Sequence, residues 1–256
     1  MRIGKQDNAT TAICDSDATS ITVRGRDLCD EIIGKTDFTS YFWLLVTGTM
    51  PNAAQKAMAD ATLCAIAEHG LVPSVAAARM TYAAGPEAFQ GAVAAGLLGC
   101  GSVVLGSAET AGRFYAGIVA QEGDPRVAAL AAVKALRAEK KAIPGFGHPQ
   151  HADGDPRAHR LFALARELGL FGPHCAMVET IGDVLPEAIG RSLPVNVNGA
   201  IPAVMLDAGF PLTALKGISL LARTAGLVAH LTEEAEHPVG FIMAHAAAER
   251  VEFSDS

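Results

Sequence analysis

The chain has 256 residues, 50% hydrophobic and 18% charged, with a net charge of −7. It is long enough to bury a sizeable core, as one large domain or two small ones. A charged share below the usual ~25% points to subunits that bury surface against each other; the alternative is an alanine-rich core in an ordinary monomer. No block of lysines or arginines exists to track a nucleic-acid backbone, which argues against that partner. No run of about 18 uncharged apolar residues is present to span a membrane. The opening MRIGKQDNATT lacks the apolar stretch of a signal peptide. Cys14, Cys29, Cys64, Cys100 and Cys175 are scattered without CxxC spacing, most among apolar neighbours. They read as reduced core residues, which fits the cytoplasm.

TTAICDSDATSITVR, residues 10–24, reads as two short strands around a turn at Asp15–Asp17. TDFTSYFWLLVTG reads as a helix closed by Gly48, with Trp43 on its apolar face. PNAAQKAMADATLCAIAEHG has Asn52 as N-cap and Gly70 just past its end. GPEAFQGAVAAGLLGCG places Pro86 near a first helical position. GDPRVAALAAVKALRAEKKA repeats that device with Asp124 and Pro125, and its Val127, Leu130, Val133 and Leu136 recur at three-residue spacing. DPRAHRLFALARELG does so again with Asp155 and Pro156. Further helices are expected at about 173–189, 200–208, 211–231 and 238–248, the third apolar nearly all round and therefore buried. Roughly ten helices, one hairpin and no strand–helix alternation make an all-α domain. A soft boundary falls at 102–107 or 141–155.

KKAIPGFGHPQHADGDPRAHR, Lys140 to Arg160, gathers His148, His151, Asp153, Asp155 and His159. Their spacing matches no compact zinc pattern and no cysteine joins them, so no metal is expected. A plain interhelical turn accounts for His151 and Asp153, but less well for PGFGHP. Pro144 and Pro149 forbid helix there, and Gly145 and Gly147 allow close approaches that side chains would block. Such a loop presents His148 and nearby backbone N–H groups. Arg157 follows in the first turn of the next helix, where cation and helix dipole together suit an anion. A histidine beside that arginine suits a carboxylate-bearing substrate with a proton to move.

PGFGHP…GDPRA resembles the signature loop of the citrate synthase superfamily, and most of all its citryl-CoA lyase branch, which includes the C-terminal module of ATP-citrate lyase. Other stretches resemble that branch in the same order: TTAICD, AEHG at 67–70, GLLGCGSVVLGSAETA, LPVNVNGAIPAVMLDAGFP and LLARTAGLVAHLTEE. The resemblance implies an all-α, citrate synthase-like helical fold with a small N-terminal β-hairpin. It implies one module over 1–256, with a smaller helical subdomain at roughly 105–220. It implies His69 and His148 as catalytic residues at the substrate oxygens. Asn198 stands in the motif's catalytic position, and Arg157, Arg223 and Asn196 fall at positions that bind the substrate. Arg137, Lys141, Gly145, Phe146 and Gly147 match residues on the coenzyme A side; for Arg137 and Lys141, solvated charges at a helix end are an equally good account. A guanidinium suits a carboxylate because it donates two parallel hydrogen bonds. Arg223, alone inside GISLLARTAGLVAHL, needs either a bound anion or an internal Asp or Glu.

Three departures bear on the chemistry. The family's NVDG reads NVNG here, so Asn198 replaces an aspartate that moves the α-proton of the acetyl group; an amide hydrogen-bonds but is no general base. Losing a positioned base typically costs about 10²–10⁴-fold in rate. The stretch near 101–108 lacks the histidine of citrate synthases proper, as does the lyase branch. EEAEHP carries Glu236 and His237 where a neighbouring subunit's arginine is usual. The implied function is cleavage of a 3-hydroxy-acyl-CoA, citryl-CoA or a related one, to acetyl-CoA and a 2-oxo acid such as oxaloacetate. The implied partners are those small molecules and a second copy of the chain, as homodimer or tetramer. Two alternatives stand beside it: an acyltransferase running the condensation, and a non-catalytic homologue that binds an acyl-CoA or dicarboxylate.

Overall fold

The structure, a computed structural model, describes residues 9–101, 105–147 and 154–254. His148, His151 and Asp153 of the loop therefore lie outside the described residues. The chain forms two compact units, Met1–Asp60 and Ala61–Ser256.

The first unit opens with an antiparallel sheet in the order β1 (Cys14–Ser16), β2 (Ile21–Val23), β3 (Arg26–Asp27). Cys14 faces Val23, and Thr22 faces Asp27. Two corrections follow. The hairpin gains a third strand, and Asp15 belongs to β1 rather than to the turn. The turn is built by Asp17, whose Oδ1 accepts the N–H groups of Thr19 and Ser20, each at 2.8 Å. In α1 (Phe38–Thr47), Asp37 accepts the N–H of Ser40 at 3.0 Å as cap, and Gly48 closes the helix at φ 79°. Trp43 is buried. Helix α2 (Ala53–Ala67) starts on a reciprocal pair, Asn52 and Gln55 each accepting the other's backbone N–H at 2.9 Å.

The second unit is helical: α3 (Pro73–Ala84), α4 (Phe89–Leu98), α5 (Ser107–Val119), α6 (Pro125–Ala138), α7 (Pro156–Glu167), α8 (Pro173–Ile189), α9 (Val197–Asp207), α10 (Leu215–Glu236) and α11 (Gly240–Arg250). The all-α class holds. Helices α3 and α5 were not anticipated, although Pro73 at the first position of α3 is the same start signal used by α6 and α7. Helix α4 begins at Phe89, leaving Pro86 in the turn before it.

Helices α3, α4, α10 and α11 pack together, and α9 packs on α5, α7 and α8. The helix buried on nearly every side is α9, with Val197, Ala200, Ile201, Ala203, Val204 and Met205 all in the core. The expectation had been α10. That helix instead buries one face, through Leu215, Ile218, Ala222, Leu227 and Leu231, and leaves Val228 exposed. Segment Leu212–Glu236 is long and apolar enough, by length and composition, to cross a membrane; its inward face carries Arg223 and Glu234. On α6 the buried positions are Ala129 and Val133, while Val127 is exposed. Of the five cysteines only Cys100 and Cys175 are buried; Cys14, Cys29 and Cys64 are exposed, against the core reading.

Candidate functional site

The glycine loop is tied to the start of α9 as a short piece of sheet. Phe146 and Val195 form an antiparallel bridge. The N–H of Gly147 donates to the Pro194 carbonyl at 2.7 Å, and that of Asn196 to the Gly145 carbonyl at 2.9 Å. Asn196 then serves twice through its side chain. Its Nδ2 donates to the Gly147 carbonyl at 2.6 Å, and its Oδ1 accepts the N–H of Gly199 at 3.2 Å, capping α9. Gly145 stands at φ +83°, and a Cβ there would lie 2.6 Å from the Gly199 Cα and collide with the Tyr115 hydroxyl. No other residue fits, because the two glycine backbones meet face to face. Tyr115, fully buried, donates its hydroxyl to the Pro144 carbonyl at 3.2 Å. The N–H groups of Phe146 and Gly147 are bonded within the protein. The loop therefore does not offer those two amides to a ligand, as the sequence had suggested.

Asp155 is the second joint. It is fully buried, and its Oδ1 caps α7 by accepting the Arg157 N–H at 3.1 Å. Its Oδ2 accepts the N–H of Val197, in the first turn of α9, at 2.9 Å. The Arg157 side chain forks onto the same carboxylate, Nε to Oδ1 at 3.0 Å and Nη2 to Oδ2 at 2.9 Å. Burial pushes the Asp155 carboxyl upward, but the bonds from Arg157 and Val197 outweigh it and hold the group below its ordinary value. The anion expected at this helix start is thus supplied by Asp155 itself. Asn198 follows in the first turn of α9, and its Oδ1 is buried with no hydrogen-bond partner among the described residues.

Arg223 projects from the buried face of α10 and is 3% exposed. Its Nη2 donates to the Ile66 carbonyl at 3.3 Å. Its Nε and Nη1 are buried and find no hydrogen-bond partner among the described residues. Glu68 approaches Nη1 only to 3.8 Å. Burial lowers the Arg223 pKa, Glu68 opposes that, and the positive charge of Arg157 adds to it. The two arginines therefore sit within each other's field.

Glu68 directly follows α2, next to His69. Its Oε1 accepts the backbone N–H of His69 at 2.8 Å and of Gly70 at 2.5 Å. Its Oε2 lies 2.9 Å from the Nε2 of His230, although the ring N–H is not well aimed at it. On the far side of that ring, Nδ1 meets Arg79 Nη1 at 3.3 Å. A guanidinium only donates, so Nδ1 is the acceptor and the imidazole proton sits on Nε2, facing Glu68. Arg79 is buried and anchored by Glu234 and Glu233, each at 2.6 Å, and by the His237 carbonyl at 3.2 Å. Gly226 lets α10 come this close: a Cβ there would meet the Ala67 carbonyl and lie 3.0 Å from Glu68 Oε2.

The sequence-derived residues fall in two adjoining groups. Gly145, Phe146, Gly147, Asn196, Asn198 and Arg157 surround the start of α9, while Arg223 reaches Ile66 and Glu68 at the end of α2, just before His69. Arg137 and Lys141 are exposed where α6 ends, and Lys141 pairs with Glu139 at 2.6 Å. Glu68, His230 and Arg79 did not stand out in the sequence, where Asp155 was a helix start and a discounted metal ligand. Glu68 has a mild signal as an acid beside a site histidine, and His230 as a polar residue two turns after Arg223 on α10; Arg79 on α3 has none.

The family model for the citrate synthase C-terminal domain matches residues 55–242. The structure of citryl-CoA lyase from Hydrogenobacter thermophilus superposes with a TM-score of 0.86 and 32% identity, over 97% of this chain and 95% of that one. ATP citrate lyase from Methanothrix soehngenii, solved with citrate and coenzyme A, gives 0.76 at 20% identity over 99% of this chain and 43% of that one. Citrate synthase from Thermoplasma acidophilum, solved with carboxymethyl coenzyme A and oxaloacetate, gives 0.66 at 20% identity, over 78% and 54%. The last two share the fold. No curated protein matches the chain.

Proposed function

We propose, from the premise that this chain belongs to the citrate synthase family and is a citryl-CoA lyase-like enzyme, that it cleaves a 3-hydroxy-acyl-CoA to acetyl-CoA and a 2-oxo acid. The substrate is citryl-CoA or a close relative, and the oxo acid oxaloacetate or its like. The observation that carries this reading is the end-to-end match, at 32% identity, to a citryl-CoA lyase.

The side chains support it. Arg223 keeps two buried donors unsatisfied, a costly arrangement that a substrate carboxylate would relieve. Arg157, locked to Asp155, contributes field rather than a free fork. In cleavage His69 or His148 takes the hydroxyl proton as the carbonyl of the oxo acid forms. The carbon–carbon bond breaks, its electron pair becomes the thioester enolate, and protonation of that carbon gives acetyl-CoA. The Asn198 amide stabilises the enolate oxygen as a donor. Gly145, Phe146 and Gly147 form the wall on the coenzyme A side, and Arg137 and Lys141 hold its phosphates. The low charged share supports a homodimer, and the scattered thiols a reducing cytoplasm.

The assay is purified protein with citryl-CoA, followed for oxaloacetate and acetyl-CoA. Absence of product removes this reading, and a rate untouched in His148→Ala assigns the hydroxyl proton to His69 instead. Asn198 favours a second one, a homologue that binds acyl-CoA without turning it over. Tight coenzyme A binding with no turnover, unrepaired in Asn198→Asp, would establish that instead.

A further inference from the structure

Among the charged groups around Arg223, Glu68 has two separable tasks. One oxygen, Oε1, is spent on the backbone N–H groups of His69 and Gly70 at 2.8 and 2.5 Å, which sets the turn that carries His69. The other, Oε2, stands between His230 at 2.9 Å and Arg223 at 3.8 Å. It is therefore the nearest internal anion to a guanidinium whose Nε and Nη1 are otherwise unsatisfied among the described residues. The pair is loose. A direct charge-assisted bond would run at about 2.7–2.9 Å, and Oε2 lies instead at that distance from the ring of His230. That ring is braced by Arg79, itself fixed to Glu233 and Glu234. Gly226 gives this carboxylate its room on α10.

We infer that Glu68 is a specificity-determining residue, a resident carboxylate that competes with the substrate's own carboxylate for Arg223 while holding His69 in place. With no ligand it partly neutralises Arg223; when a substrate carboxylate arrives, Arg223 turns to it and Glu68 keeps His230 and the His69 turn. Glu68 thereby weakens the grip on small dicarboxylates, which eases release of an oxo acid product. This deepens the lyase reading and rests on it for the identity of that product, but not for the competition itself.

The probe is malate, a stable four-carbon dicarboxylate, titrated calorimetrically into the full chain. Glu68→Gln keeps an Oε1 acceptor for the turn and removes the charge. It should bind malate about threefold to tenfold more tightly than wild type, the size expected of a half-exposed charge near 4 Å. Glu68→Asp, which keeps the charge, should stay within about twofold of wild type by the same estimate. Adding Arg223→Gln to Glu68→Gln should erase the gain. With citryl-CoA, Glu68→Gln should lower KM while kcat falls less than for Glu68→Ala, which also releases the His69 turn. If Glu68→Gln does not fold, His230→Leu decides: Oε2, freed of the ring, closes on Arg223 and malate binding weakens. No malate binding by wild type, or unchanged affinity in a folded Glu68→Gln, overturns the role of Glu68. Absence of citryl-CoA cleavage alongside the expected malate series instead removes the lyase reading and leaves the role of Glu68 standing.

Discussion

Asp155 accepts the backbone N–H of Val197 at 2.9 Å while its other contacts cap α7 and clasp Arg157. One buried carboxylate thus fixes where two helices begin and where a cation points. Replacing it with Asn keeps the shape but loses the charge that Arg157 requires. Asp155→Asn should release Arg157, destabilise the fold by about 3–5 kcal/mol in denaturant titration, and lower citryl-CoA cleavage.

The same carboxylate gives the fold a pH dependence of known sign. Asp155 and Glu234 are held below their ordinary values of 3.8 and 4.5, after burial has pushed each upward, by arginine and backbone partners. The native state therefore binds fewer protons than the unfolded chain in this range. The stabilisation is complete above the ordinary values and is lost as pH falls through the depressed ones. Melting temperature should be flat in its carboxylate contribution near neutrality and drop below about pH 4. Asp155→Asn should show a shallower acid decline in the same melts.

Arg79 and Glu234 are 4% and 1% exposed and bonded at 2.6 Å. Removing one partner strands the other. Arg79→Met should cost about 3–5 kcal/mol in urea unfolding, and it should disturb His230 and, through it, Glu68. Chemical shifts of the His230 ring check the second part.

Gly145→Ala adds a methyl against the Gly199 Cα and the Tyr115 hydroxyl, at φ +83°. The backbone strain alone costs about 1–3 kcal/mol. Thermal denaturation should show at least that loss, with coenzyme A binding weakened as the loop leaves its bridge to Val195.

Asn198→Asp puts a carboxylate where the resemblance of NVNG to NVDG expects one. Wash-in of deuterium at the acetyl methyl of acetyl-CoA, followed by NMR, should rise by about 10²-fold or more over wild type. No change would mean that the α-proton is handled elsewhere.

Much of this architecture is visible in the one-dimensional pattern because its signals are local. Proline starts at 125, 156 and 173, the Asp37 and Asn52 caps, and the Gly48 stop are all contained within a few residues. The burial of α9 against α10 is not local. Both are apolar, and only the packing of α5, α7 and α8 around α9 separates them. The same holds at the site. Gly145, Asn196 and Arg223 stand out by type and motif. Glu68 looks like an ordinary exposed acid until α10 returns His230 and Arg223 to it from more than 150 residues away. Pairings across such distances leave no periodicity to read.

The bridge between Phe146 and Val195 makes PGFG and NVNG a single unit of exchange. Gly145 and Gly199 occupy each other's side-chain space, and Asn196 closes both segments. A chimera that imports either segment alone from a homologue inherits half of an interlock. Grafts, loop libraries and substrate redesign on this scaffold must move the two together.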